Sequence, residues 1–298
     1  MIPVTRISPA ALGLGALFAA SLSIGCSPSS ASNPCDSKAR AARHAKNSNS
    51  SAPSLGSAQD FTVLAATTVT SPGPSIVSDG DLGLSPGTSV TGFPPSQVLS
   101  PGTMHITDVV AKQAQSDATN AYVALAAAHC TFDETTLGGD FSNVTLVPGV
   151  YCFGSGTMLS TSTGTLTFDG KSDPNAVFIF QFASSMLIPE GTKFLYVNGA
   201  SGCNVYWQVT SSATIGDTVD FPGTVVAQGS ITDGTGTAGR LIALTGAVTL
   251  NASDVGMQCK PASSYGGTVP DGGTVPDGGI DDGGTDDSDA GSLGSCGE

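Results

Sequence analysis

The chain has 298 residues and a formal net charge of −14, although only 11% of its residues are charged. Residues 58–260 hold 15 acidic and 5 basic residues, and so few Lys and Arg side chains cannot form the basic surface that nucleic acids and anionic membranes require. We therefore expect no nucleic-acid partner.

The N-terminus has the composition of an export signal. Arg6 precedes an uncharged apolar run over residues 7–25, and Cys26 follows it. This run is too short for a permanent membrane helix, so residues 1–25 are predicted to be a signal peptide. Residues 22–26, LSIGC, resemble a bacterial lipobox, in which Cys26 would be lipidated and would anchor the protein to a membrane. The expected location is extracellular or the outer cell surface; ordinary secretion without a lipid is the alternative.

Two further segments have compositions that cannot form a core. Residues 26–57 are rich in Ser, Asn and Ala, and residues 261–298 are rich in Gly and Asp with eight acidic side chains. Both are predicted to be disordered because they cannot bury enough apolar surface to offset chain entropy. A single folded domain over residues 58–260 remains.

One segment of this domain has a helical pattern. Residues 106–129 contain no Gly or Pro, and Thr107 or Asp108 could cap the N-terminus. Apolar residues recur at steps of three and four, which predicts one helix with a single apolar stripe formed by Val109, Val110, Ala114, Ala118, Ala121, Leu125 and Ala128.

The cysteines fit an oxidising compartment. If Cys26 carries a lipid, six cysteines remain, and four of them lie in the folded region. The sequence contains no C-x-x-C motif, so a metal or redox site is not expected. Disulfides between Cys130 and Cys152 and between Cys203 and Cys259 are favoured, although other pairings stay open because connectivity does not follow from sequence.

The rest of the domain consists of short Val-, Ile-, Phe- and Thr-rich runs between turns. A Ser/Thr cluster, a turn and a Gly-Thr or Asp-Thr pair recur, and their markers Thr165, Thr192, Thr218 and Thr237 are separated by 27, 26 and 19 residues. Such a period is typical of solenoid coils and is longer than that of a hairpin. A β-solenoid with one helix alongside is predicted.

Six segments together resemble the DUF3494 ice-binding family. They are residues 78–95, the helix, and residues 146–153, 173–182, 204–216 and 239–250, in that family's order. The resemblance covers nearly all of residues 58–256. It implies a discontinuous right-handed β-solenoid of triangular cross-section with the helix packed along one face, and an ice-binding surface on another, flat face.

Threonine suits such a surface because its branched Cβ restricts χ1 and its hydroxyl can bind water. The expected partner is ice or ordered water, and a monomer without cofactor or metal is expected. The candidate ice-binding residues are Thr163, Thr165, Thr167, Thr192, Thr214, Thr218, Thr232, Thr235 and Thr237. The charged residues Glu190, Lys193 and Asp217 adjoin this set and are expected to weaken ice binding, because charged groups hold their own hydration water.

The chain is not expected to be an enzyme. The paired acids Asp79 and Asp81 are expected in a turn, Arg240 in a structural hydrogen-bonding role, and Trp207 in the core. No nucleophile, phosphate-loop or dinucleotide motif occurs. The remaining alternative is a structural or adhesive surface module on the same scaffold.

Overall fold

Short strands separated by turns make up most of the fold. The computed structural model describes residues 51–134, 141–154 and 164–257, which all belong to the unit of residues 1–262. These residues contain the helix Val109–Ala127 (α1) and two 3₁₀ helices, Gly56–Asp60 and Gly202–Asn204. In chain order the strands are Phe61–Ala65 (β1), Thr68–Thr70 (β2), Ile76–Val77 (β3), Asp81–Leu84 (β4), Ser89–Thr91 (β5), Gln97–Val98 (β6), Met104–Ile106 (β7), Phe132–Asp133 (β8), Val144–Leu146 (β9), Gly149–Phe153 (β10), Thr165–Asp169 (β11), Phe178–Phe182 (β12), Met186–Ile188 (β13), Lys193–Val197 (β14), Val205–Val209 (β15), Ala213–Ile215 (β16), Val219–Ala227 (β17), Ile231–Asp233 (β18), Gly236–Ala243 (β19), Val248–Leu250 (β20) and Ser253–Val255 (β21).

The strands form the three faces of a β-solenoid, as predicted. The helix face contains β8, β10, β12, β15, the second halves of β17 and β19, and then β1, β4 and β7. The threonine face contains β13, β16, β18, β20, β2 and β5 in that order. The third face contains β9, β11 and β14, and then the first halves of β17 and β19 with β21, β3 and β6. All pairings among the described strands are parallel, so each coil lies directly on its neighbour.

The stack does not follow the order of the chain. β1, β2 and β3 pair with β19, β20 and β21, so the first coil of the domain lies against the last. We call this contact the junction. It makes the solenoid discontinuous, because α1 must carry the chain from the β7 end of the stack to the β8 end.

The helix begins at Val109 and ends at Ala127, slightly inside the predicted range. Its N-cap is Asp108, which accepts a hydrogen bond from the Ala111 N–H at 2.8 Å. The buried stripe follows steps of three and four and consists of Ala111, Ala114, Ala118, Ala121 and Leu125. Val109 is 81% exposed and Val110 42%, so their predicted place in the stripe is wrong. Within the first turn of α1 only Ala111 is buried, so the stripe begins at Ala111.

Two apolar layers hold the fold together. Inside the solenoid, aromatic rings stack from coil to coil, and Trp207 lies 4.2 Å from Phe180 between ring centroids. Trp207 is fully buried, as predicted, and its indole N–H donates to the Pro222 carbonyl at 2.8 Å. Outside, the small alanines of α1 let the helix lie close to residues such as Ile179 and Ile242 on the helix face.

A disulfide between Cys130 and Cys152 connects the segment after α1 to β10, as predicted. Cys203 is also disulfide-bonded, but its predicted partner Cys259 lies outside the described residues. Cys26 does as well. No helix among the described residues has the length and apolar character needed to cross a bilayer.

Candidate functional site

The threonine face carries two parallel rows of outward side chains. One outward residue lies between two inward residues in β13, β16, β18 and β20, whereas two outward residues flank one inward residue in β2 and β5. Strand pairing sets the outward residues side by side. The central row is Leu187, Thr214, Thr232, Thr249, Thr70 and Thr91. The residues two positions earlier form the second row, which is Ser185, Ser212, Ser230, Ala247, Thr68 and Ser89.

The spacing of this array follows from β geometry. Neighbours within a row are separated by the interstrand distance of about 4.8 Å, and the two rows by two residues of strand, about 6.6 Å. The inward residues that support the rows are almost all apolar, for example Ala213 and Ile215 below Thr214. Because this layer is close-packed, the face is rigid.

The hydroxyl groups of the two rows have different partners. Ser212 Oγ accepts a hydrogen bond from the Ser230 N–H at 3.2 Å, and Ser230 Oγ accepts one from the Ala247 N–H at 3.1 Å. In contrast, the hydroxyls of Thr214, Thr232 and Thr249 form no hydrogen bond with another described residue. Thr91 Oγ1 donates to Thr70 Oγ1 at 3.3 Å, so these two hydroxyls have a partner within the row. At Thr214, Thr232 and Thr249 the central row therefore presents hydroxyl groups that are available to water, beside methyl groups that cannot form hydrogen bonds.

Of the nine threonines predicted from sequence, only Thr214 and Thr232 lie on the threonine face. Thr165, Thr167 and Thr237 lie on the third face. The expectation that the set forms one face is therefore wrong, because the predicted threonines are distributed over two faces and the corner between them.

The remaining predicted threonines stand at corners. Thr192 is buried and donates to the Pro189 carbonyl at 2.8 Å, and Thr218 has a positive φ of 57° and donates to the Asp217 carbonyl at 2.7 Å. The Thr235 N–H donates to Asp217 Oδ1 at 2.8 Å. Thr163 lies outside the described residues. The Gly-Thr signature therefore marks turns more than it marks the array.

Sequence reasoning missed Thr70, Thr91 and Thr249 in the central row. Their signal is an x-Thr-x tripeptide with an apolar neighbour on its inward side, as in Val69-Thr70 and Val248-Thr249. Thr70 and Thr91 belong to coils that precede the helix, so the repeat over residues 160–239 does not include them. Only the junction brings them beside Thr249.

The charged residues expected to interrupt the array lie outside both rows. Glu190 and Asp217 follow β13 and β16 at the corner, and Lys193 is paired with Thr165 on the third face. The irregular members of the central and second rows are Leu187, which is 44% exposed, and Ala247. Both rows are thus uncharged.

The third face differs in chemistry from the threonine face. Its outward positions include Asp220 and Asp254, which flank Thr237 in register. The Thr237 hydroxyl donates to Asp220 Oδ1 at 2.7 Å. Charged groups keep their own hydration water, so this face cannot present the same uniform array.

The residues weighed for catalysis have structural roles. Arg240 is buried and donates through Nε to the Phe61 carbonyl at 2.7 Å and through Nη2 to the Gln59 carbonyl, as its predicted structural role requires. Asp79 has a positive φ of 59°, which suits the predicted turn. Asp81 was also predicted in the turn but begins β4, where its Oδ1 accepts a hydrogen bond from the Thr103 N–H. Across the described ranges, no three His, Cys, Asp or Glu side chains are grouped to hold a metal ion.

The fold and the site define a class of protein: a three-sided parallel β-solenoid that has a helix along one face and an uncharged threonine array on another. The sequence profile described as Ice-binding-like matches residues 63–256. An ice-binding protein of Nostoc sp. strain HG1 is 41% identical over 220 residues, covering 73% of this chain and 78% of the relative. The chain therefore belongs to the Ice-binding-like family.

Solved structures of ice-binding proteins have the same fold as this chain. The crystal structure of an ice-binding protein from an Antarctic biological consortium superimposes with a TM-score of 0.66 at 42% identity, covering 71% of this chain and 94% of the other. The crystal structure of an ice-binding protein from the Antarctic ascomycete Antarctomyces psychrotrophicus superimposes with a TM-score of 0.64 at 33% identity, covering 70% of this chain and 100% of the other.

Proposed function

We propose that this protein adsorbs to ice through its threonine face and thereby inhibits ice growth and recrystallisation. The observation that carries the proposal is the uncharged central row, in which Thr214, Thr232, Thr249, Thr70 and Thr91 are stacked in register. The family and its ice-binding relatives support the same ligand.

The physical basis is a match between two regular surfaces. Ice presents no charge and no pocket, but it presents a repeating lattice of water molecules. A rigid array of hydroxyls about 4.8 Å apart can hold water in a regular arrangement, while the adjacent methyl groups disfavour other water orientations. Because χ1 of threonine is already restricted, little side-chain entropy is lost on binding.

Thermal hysteresis and recrystallisation assays on the purified full chain test the proposal. Thr232→Tyr places a large ring in the middle of the array and should remove most of the activity. Thr167→Tyr is the matched control, because Thr167 is also a half-buried outward threonine in a central strand, but on the third face. Unfolding curves of both variants should show that the fold is retained.

Two outcomes would overturn the proposal. One is a wild-type protein whose crystals grow as they do in buffer, which would favour a structural or adhesive module. The other is equal loss of activity in the Thr232 and Thr167 variants.

We further propose that the protein acts outside the cell, that Cys26 carries a lipid anchor, that residues 26–50 and 261–298 are flexible, and that the domain is a non-catalytic monomer. The predicted linker end at residue 57 is wrong, because Leu55 is buried and the Ser57 N–H donates to Asp117 Oδ2 at 2.9 Å. The apolar run before Cys26 and the structural disulfide support an extracytoplasmic location. Mass spectrometry of the mature N-terminus would identify the lipid. An unmodified N-terminus other than Cys26 would exclude it.

A further inference from the structure

A groove of about 470 Å³ lies beside α1, at the corner between the helix face and the threonine face. Ser85 and Pro86 line it where the chain passes from β4 to β5, and Leu244 lines it where the chain passes from β19 to β20. Its volume is within the range of about 300–1,000 Å³ that is usual for small-molecule sites. The opposite wall consists of residues at the start and in the first half of α1, which are Thr107, Lys112, Gln115, Ser116 and Thr119.

Lys112 supplies the one charged group among the described residues that line this groove. Its ammonium group forms no ion pair or hydrogen bond with another described residue. The nearest acidic residues along the chain are engaged elsewhere: Asp108 Oδ2 lies 2.7 Å from His105 Nδ1, and Asp117 Oδ2 accepts a hydrogen bond from Ser57 Oγ at 2.6 Å. The groove therefore offers a cation to an anionic ligand without a competing carboxylate in its wall.

Neutral hydrogen-bonding groups lie beside this cation. Ser116 follows Lys112 by four residues, so the two side chains lie on the same side of α1, and the Ser116 side chain is exposed. Gln115 Nε2 donates to the Ala243 carbonyl at 3.3 Å, which fixes the amide across the base of the groove. Its Oε1 then remains an acceptor, whereas the Ser116 hydroxyl can both donate and accept. The groove can thus bind hydroxyl groups of a ligand as well as a charge.

The solenoid side of the groove is partly apolar. Pro86 is exposed, and Leu244 is half-buried and packs against the apolar layer under α1. A sugar ring has apolar C–H faces and a polar rim of hydroxyl groups, and a uronate adds one carboxylate. This combination matches an apolar surface, neutral hydrogen-bonding groups and a single ammonium. A nucleic acid, in contrast, would require several cations side by side.

We propose that this groove binds a uronate residue of an acidic polysaccharide. The carboxylate accepts a hydrogen bond from Lys112 Nζ, the ring hydroxyls bond to Ser116 and Gln115, and the ring lies against Pro86 and Leu244. The site is separate from both rows of the threonine face and does not depend on ice binding. It gives the protein a second ligand, to which it can attach while the threonine face stays free.

Titration of the isotope-labelled full chain with trigalacturonate, followed by backbone amide NMR shifts, tests the proposal. We expect saturable shifts at Lys112, Ser116 and Leu244, and much weaker ones with the neutral trisaccharide galactotriose. Sodium acetate at the same carboxylate concentration should not reproduce them. The absence of saturable shifts, equal binding of the neutral trisaccharide, or equal binding of acetate would each overturn the proposal.

Three variants locate the binding. Lys112→Gln removes the charge and should weaken trigalacturonate binding about tenfold or more, since a hydrogen bond between charged groups is lost. Ser116→Trp should also weaken it, because the indole fills the groove. Lys193→Gln is the matched control: Lys193 is likewise an exposed lysine, but on the third face. All three positions are on the surface, so unfolding curves should match wild type. Unchanged affinity in the Lys112 variant, or equal loss in the Lys193 variant, would contradict the site.

Discussion

Thr70 and Thr249 lie side by side on the threonine face, in register on β2 and β20, although one belongs to the first coil of the domain and the other to the last. The central row is continuous only because these two coils meet. Its extent therefore depends on the contacts that stabilise the junction, and the buried Arg240 provides several of them.

Arg240 lies in β19 and bonds to the carbonyl groups of Gln59 and Phe61 on the N-terminal side of the junction. Arg240→Lys should lower the free energy of unfolding by about 3 kcal/mol, because a single ammonium cannot replace the guanidinium fork and leaves buried acceptors unpaired. Urea unfolding measures this effect. Lys112→Ala, on the exposed side of α1, is the control and should change stability by less than about 0.5 kcal/mol. Equal effects would show that Arg240 does not secure the junction.

Leu187 interrupts the central row at the β13 end, beside Thr214. Leu187→Thr should raise thermal hysteresis, because it adds one hydroxyl in register with the existing row. Leu195→Thr is the matched control: Leu195 is 46% exposed, close to the 44% of Leu187, but it lies on the third face. A gain in both variants, or in neither, would argue against the row as the ice-contact surface.

The Cys130–Cys152 disulfide closes a loop with a sequence separation of 22 residues. Replacing both cysteines by Ser should destabilise the protein by about 3 kcal/mol, mainly because the unfolded chain gains conformational freedom. Thermal unfolding of the double variant should show the loss as a lower Tm. Hysteresis measured well below that Tm should be retained, because the disulfide is remote from the threonine face. Loss of activity in the folded variant would contradict this separation.

Burial raises the pKa of Asp233 from 3.8 to about 7, although the nearby Ser253 hydroxyl opposes the shift. The folded state therefore binds a proton more tightly than the unfolded state. The contribution of Asp233 to stability should fall as pH rises from about 4 to about 7 and stay level above that, with a total change on the order of 4 kcal/mol.

Unfolding measured over this pH range in wild type and Asp233→Asn isolates the effect. Because the amide does not titrate, the difference in stability between the two proteins should shift in favour of the variant as pH rises. A difference that is constant with pH would show that the Asp233 carboxyl does not change its ionisation on unfolding in this range.

Sequence alone was sufficient for the solenoid, for the helix, and for the structural roles of Trp207 and Arg240, whereas it left the helix cap open between Thr107 and Asp108. Apolar runs, turn residues and helical periodicity are local signals, and they report local structure. Predicting which threonines lie on the threonine face required the exact position of each strand and corner. Thr232 and Thr235 are three residues apart, yet one is in a strand and the other at a corner.

The strand pairs of the junction could not be predicted from the repeat in the sequence. The pairing of β2 with β20 joins coils from the two ends of the domain, and a repeat along the chain contains no signal for such a pairing. Thr70 and Thr91 were missed for this reason. The candidates on the third face were included because β11 and β19 also carry threonine beside turns.

The helix sets a length scale for the whole solenoid. α1 has 19 residues and, at about 1.5 Å per residue, carries the chain about 28 Å along a stack whose strands are about 4.8 Å apart. Each additional coil would thus require the helix to grow by about three residues, close to one turn. Ice-contact area in this architecture is therefore coupled to helix length, and a larger array could be designed by lengthening both together.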